Sequence, residues 1–134
     1  MKIILEVLQE IIEDQFLNIV KDIFKPSEEK LRVVLKDESF IDIRISQKVK
    51  NRFDFHWERG HINGNIFRYD NFPDTHFKHL KSFPFHFHYQ KENKIIEVKF
   101  RKTLPSAFID FMNFVKSYLE KIKKELKKSL GLKK

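Results

Sequence analysis

Apolar side chains recur every three or four residues at both ends of this sequence and every second residue between them. That switch of period does most to limit what the chain can fold into, because a pattern of one period does not sit stably in the other structure. Over residues 2–24, Ile4, Val7, Leu8, Ile11, Ile12, Ile19, Val20 and Ile23 follow helical steps, with Glu6, Glu10, Glu13 and Asp14 in the gaps. The spacing predicts an acidic amphipathic helix stopped by Pro26. From residue 31 the period falls to two. Leu31, Val33 and Leu35 form one strand, Asp37-Glu38-Ser39 turns the chain, and Ile41, Ile43 and Ile45 alternate with Asp42 and Arg44. Phe53, Phe55 and Trp57 then oppose Arg52, Asp54 and His56. Arg59–Gly64 reads as a hairpin turn, with the return through Asn65–Tyr69. Asp70–Pro84 is irregular, Phe85, Phe87 and Tyr89 oppose His86 and His88, and Lys94–Phe100 reads as a last strand. Pro105 and Ser106 open a final helix with Phe108, Met112, Val115, Leu119, Ile122 and Leu126 along one stripe, and Gly131 ends it.

The order is therefore helix, about six strands, helix. Short links between strands imply a mainly antiparallel sheet, and the single apolar face of each strand implies that both helices pack on one side of it. The expected fold is α+β, a single domain over 1–134, with 121–134 a basic tail free to fray.

The chain has no cysteine, which excludes disulfides, thiolate metal sites and cysteine nucleophiles. Its three glycines form no phosphate-cradling loop, and no serine sits on a nucleophile elbow, so nucleotide hydrolysis of the P-loop kind is excluded. Acidic residues interrupt the apolar start before a signal sequence can form, and no run is long enough to span a membrane. The expectation is a soluble, cytoplasmic protein. Charge is unevenly spread. Between Lys116 and Lys134 eight lysines meet two glutamates, which accounts for six of the chain's eight net positive charges. Such a concentration attracts phosphate backbones or acidic partners; a lysine-rich helix end favoured by the helix dipole is the plainer explanation. Arg52, Lys116, Lys123, Lys124, Lys127 and Lys128 are the candidates for contact with nucleic acid.

All six histidines fall between residues 56 and 88. Strand alternation puts His86 and His88 on one side, opposite the aromatic row, and His56 on the corresponding side of its own strand. The loop could bring Asp70, His76 and His79 over them. Such a cluster supports proton transfer to and from RNA, which carries its own nucleophile in the 2′-hydroxyl. It equally supports an N/O metal site with Asp70 as the carboxylate, and an exposed polar sheet face would show the same pattern. The alternating phenylalanines read as core; Phe72 and Phe77, in the loop, are the aromatics placed to touch a ligand.

Phe53-Asp54-Phe55-His56-Trp57, a glycine turn, Phe67-Arg68-Tyr69-Asp70-Asn71, Pro73, and Ser82-Phe83-Pro84-Phe85-His86-Phe87-His88 resemble the TumE-type family of toxins from toxin–antitoxin modules. The likeness is good over 53–88 and loose over 104–120, where Leu104-Pro105-Ser106 opens the last helix. The first helix and the basic tail lie outside these motifs. The chain departs from the family pattern at Phe85, where histidine is usual, and at Asp74-Thr75-His76, where a histidine-rich stretch is usual. The resemblance implies an RNA-targeting toxin neutralised by a cognate antitoxin protein. On that basis the expected function is a metal-independent ribonuclease without a cofactor. His56, His86 and His88 would transfer protons, Arg68 would stabilise the phosphate, and Asp70 would orient a histidine or the loop. A non-catalytic module that binds nucleic acid or antitoxin through the basic helix, and a metal-dependent hydrolase, remain the alternatives.

Overall fold

The computed structural model describes residues 4–131. It contains α1 (Ile4–Gln15), β1 (Val20–Ser27), β2 (Lys30–Leu35), β3 (Phe40–Ile45), β4 (Phe53–Arg59), α2 (Gly60–Asn63), β5 (Asn65–Asp70), β6 (His86–Gln90), β7 (Ile95–Ile96) and α3 (Ser106–Ser129). Short 3-10 turns lie at Leu17–Ile19 and Thr75–Phe77. The strands form one sheet in chain order, each antiparallel to the next. The fold is α+β, as the periodicity implied.

The inward row of β2–β6 runs from Leu31, Val33 and Leu35 through Ile41, Ile43 and Ile45 to Phe53, Phe55, Trp57, Phe67, Tyr69 and Phe87, all buried. Leu5, Leu8 and Ile12 of α1 and Phe108, Phe111, Met112 and Val115 of α3 join the same core. Both helices therefore cover one face. Aromatic rings interlock there: Phe55 meets Phe108 edge-on at 5.4 Å and Trp57 meets Tyr118 at 5.5 Å.

Three expectations need correction. The first helix ends at Gln15, and the segment predicted to complete it forms a seventh strand. Val20 and Ile23 keep helical spacing by coincidence, while the ladder to β2 supplies the backbone hydrogen bonds that residues 20–27 would otherwise make within a helix. β1 is an edge strand with two register shifts, and Pro26 is tolerated there because an edge does not need its missing N–H. Secondly, Arg59–Gly64 is one turn of helix closed by Gly64 at φ 78°, rather than a bare hairpin turn. Thirdly, the last strand pairs only over Ile95–Ile96, although Val98 and Phe100 still pack against the core. Residues 2 and 3, at the start of the expected helix, and Lys133 and Lys134 lie outside the described residues.

α3 leaves its packing behind as it proceeds. The Tyr118 hydroxyl accepts from Asn65 Nδ2 (3.4 Å) at the β4–β5 connection. The helix then runs on to Ser129, about 16 Å further at 1.5 Å per residue, and every residue from Lys123 to Ser129 is exposed.

Candidate active site on the polar face of the sheet

Pairing register builds the other face of the sheet into rows. Lys30, Arg44, Asp54, Asp70 and His86 lie opposite one another on successive strands, and Arg32, Asp42, His56, Arg68 and His88 form the next row. Neighbouring positions in a row are about 5 Å apart, and opposite charges meet both within a row and diagonally between the two rows. Asp42 receives Arg32 through both oxygens (2.7 and 2.9 Å) and Lys30 at 3.0 Å. Asp54 receives Arg68 the same way (3.0 and 2.9 Å). A cavity of about 320 Å³ opens over this part of the face, with Arg44, His56, Glu58 and Arg68 in its wall.

The motif Arg68-Tyr69-Asp70-Asn71 divides its side chains by strand alternation. Tyr69 points into the core and donates its hydroxyl to Arg101 O (3.1 Å). Asn71 closes the strand pair, accepting from Phe53 N (2.9 Å) and donating to Asn51 O (2.6 Å). Arg68 and Asp70 face the polar side. Arg68 meets Asp70 at 3.3 Å and Glu92 at 3.5 Å as well as Asp54. Burial works against its charge, and the three carboxylates outweigh that and hold its pKa above the ordinary value.

Asp70, His86 and His88 converge. His86 Nε2 lies 3.1 Å from Asp70 Oδ1 and His88 Nε2 lies 3.7 Å from Oδ2. The Phe72 N–H also donates to Oδ1 (3.0 Å). Burial would raise the Asp70 carboxyl, yet hydrogen bonds from both imidazoles, the charge of His86 and the Phe72 amide hold it far below the carboxylate range. Burial would lower His86, and the Asp70 hydrogen bond and charge instead keep it above its ordinary value of 6.5.

The two histidines lie on the polar side, as strand alternation implies, but they do not face water. Their relative exposures are 5% and 4%, because Phe77 from the loop lays its ring 4.7 Å from His86 and 5.9 Å from His88. They are sealed on the polar side, away from the aromatic core. β5 runs between β4 and β6, so Arg68 separates His56 from His88 in their shared row.

His56 stays half-exposed. Its Nε2 is 3.1 Å from Glu58 Oε1 and its Nδ1 is 4.0 Å from Glu92 Oε1. Glu58 is itself pinned, since Oε2 accepts the Gly60 N–H at 2.6 Å. A Cβ on Gly60 would stand 2.6 Å from that same oxygen, so only glycine leaves the carboxylate where it is. Glu58 and Glu92 were missing from the sequence-predicted site. Strand alternation from Asp54 and His56 points to Glu58; Glu92 lies in a turn, where no periodicity could have singled it out.

The remaining candidates lie elsewhere. Arg52 sits over the exposed Phe72 ring at 5.2 Å. Lys116 is half-buried, and Lys123, Lys124, Lys127 and Lys128 are exposed on α3, which packs against the opposite side of the sheet from the histidines. His76 is paired with Asp74 (2.9 Å), and His76 and His79 are both solvent-exposed. Among the described residues no helix is long and apolar enough to cross a membrane.

No curated protein and no solved structure matches the chain. A family model described as Toxin TumE matches residues 2–119. The motifs by themselves confine the likeness to 53–88 and 104–120; the match extends it to α1 and stops short of the lysine-rich end of α3. Because the match runs through the whole sheet, including the rows that carry Arg68, Asp70, His86 and His88, the chain belongs to the toxin TumE family.

Proposed function

We propose that the protein is the toxin of a toxin–antitoxin pair and cleaves RNA by acid–base chemistry that needs no metal ion at the reacting phosphate. The observation that carries this reading is the half-exposed His56 imidazole, held by a pinned carboxylate and next to Arg68 on the open polar face. In the reaction a base takes the proton of the 2′-hydroxyl, the 2′-oxygen bonds to phosphorus, and the 5′-oxygen leaves with a proton from an acid. A cyclic phosphate remains on one fragment. His56 fills one of the two proton-transfer roles and Glu58 or Glu92 the other, with Arg68 lending its guanidinium to the extra negative charge on phosphorus. His86, His88 and Asp70 stand behind Arg68. Their burial suits them to fixing the guanidinium rather than to meeting substrate directly.

Tag-free protein incubated with RNA in chelator is expected to leave cyclic-phosphate ends. Replacing His56 with alanine should slow the reaction by about 100-fold or more, the usual contribution of a positioned acid or base. The double variant His86→Ala/His88→Ala should also lose activity, through misplacement of Arg68. Intact RNA with the wild-type protein would overturn the reading.

The exposed run of lysines at the end of α3 favours a second reading in which the protein only holds RNA or an acidic antitoxin. In that case removal of residues 121–134 abolishes binding, added salt weakens it steeply, and the histidine variants bind as wild type does.

A further inference from the structure

Behind the open groove the three buried groups leave one chemical question. His86 Nδ1 is 2.9 Å from Pro84 O and His88 Nδ1 is 2.7 Å from Glu92 O. A carbonyl oxygen only accepts, so each Nδ1 carries the hydrogen and donates it. The neutral rings then aim unprotonated Nε2 atoms at Asp70, a group that also only accepts. Three sets of lone pairs converge in that state, so either a proton or a metal cation stands among them. Protonating both rings would place two imidazoliums, with ring centroids 5.0 Å apart, in a pocket almost closed to water.

We propose that Asp70, His86 and His88 bind a single divalent transition-metal ion, with zinc the best match to the donors. Two imidazole nitrogens and one carboxylate oxygen are the set that zinc, cobalt and iron(II) take, whereas magnesium and calcium want oxygen throughout. The ligand atoms all lie within 4.8 Å of one another. With bonds of about 2.1 Å, tetrahedral ligand atoms stand about 3.4 Å apart; His86 Nε2 is 3.1 Å from Asp70 Oδ1 and His88 Nε2 3.7 Å from Oδ2, so the ion would lie between the two imidazoles and the carboxylate edge. The outer contacts have the form that metal-binding histidines use, with the second ring nitrogen donating to a backbone carbonyl. Phe77 supplies an apolar cover, which limits competition from water. The positive charge of Arg68 beside Asp70 is offset by Asp54 and Glu92.

The ion would tie β5 to β6 directly behind Arg68, leaving His56 outside the coordination sphere for proton transfer. The site is independent of the RNA reading, because metal uptake is measured without RNA.

The test uses tag-free full-length protein, stripped with chelator, dialysed and titrated with cobalt(II) and then zinc. One equivalent of cobalt should bind and give visible ligand-field absorption, and zinc should displace it. His86→Ala and His88→Ala should each weaken binding more than the 10–100-fold seen for loss of an outer partner. His56→Ala and a His76→Ala/His79→Ala variant should bind as wild type does. Stoichiometric uptake that shifts the ring resonances of His86 and His88 in the wild-type protein would support the site even if an alanine variant failed to fold. Wild-type protein that stays folded yet takes up neither ion, or that keeps full affinity in folded His86→Ala and His88→Ala variants, would overturn it.

Discussion

The two faces of this sheet are made from the same strands and held by different physics. On the helix side, Phe55, Trp57 and Phe67 lose all contact with water and pack against α1 and α3, so burial of apolar area dominates. On the polar side, charged residues meet across strands, each ion pair partly exposed, and the end covered by Phe77 is the driest. The contrast teaches where function can reside. A close-packed aromatic layer has no room for change, whereas a charge ladder holds the strands in register while keeping ionisable groups available. The largest expected effect therefore lies on the aromatic side. Phe55→Ala removes a ring that is fully buried and should cost about 3–5 kcal/mol in denaturant unfolding. A loss under 1 kcal/mol would break the comparison, because the helix face would then not be the stabilising one.

The dry end of the polar face should rank next. Asp70 is 2% exposed, accepts the Phe72 amide hydrogen, and faces His86, Arg68 and His88 at 3.1, 3.3 and 3.7 Å. Asp70→Ala leaves the Phe72 amide and the buried imidazole nitrogens without their partner and should cost about 1–3 kcal/mol in chelator, the penalty for orphaned buried polar groups. A neutral result would mean that the loop opens and lets water replace the carboxylate, so that this end behaves like the rest of the face.

Much of this division was legible in the sequence, and its failures are physical. Alternation in Phe53–Trp57 and in His86-Phe87-His88 assigned side chains to the correct faces, because the strand period is a local property, whereas Asp70, read as the start of the loop, is the last residue of β5. β1 was misread because an edge strand with exposed Lys21, Asp22 and Lys25 lacks clean alternation, so Val20 and Ile23 could be counted as a continuation of the preceding helix. Burial of His86 and His88 was invisible for another reason. It depends on a ring nine and eleven residues earlier in an irregular loop, and no period connects Phe77 to those positions. The position of Arg68 between His56 and His88 was not read from the sequence, because strand order is not a local property; β5 lies between their strands.

The smallest effect, and the one that sharpens the comparison most, concerns Asp42 on the wet part of the polar face. Burial would raise its carboxyl, but Arg32 and Lys30 outweigh that and hold its pKa below 3.8. A carboxylate with a depressed native pKa stabilises the fold above the unfolded value, and that stability disappears as pH falls from about 4 through the native value. Asp42→Asn should therefore lower stability at pH 7 by about 0.2–1 kcal/mol, the usual worth of a solvent-accessible pair. The difference from wild type should shrink below pH 4, and it should shrink in high salt, which screens exposed charges. Phe55→Ala should lose the same amount at both pH values. If Asp42→Asn instead cost several kcal/mol and ignored salt, the middle of the polar face would be as dry as its Phe77-covered end, and the groove beside His56 would be closed to a phosphate.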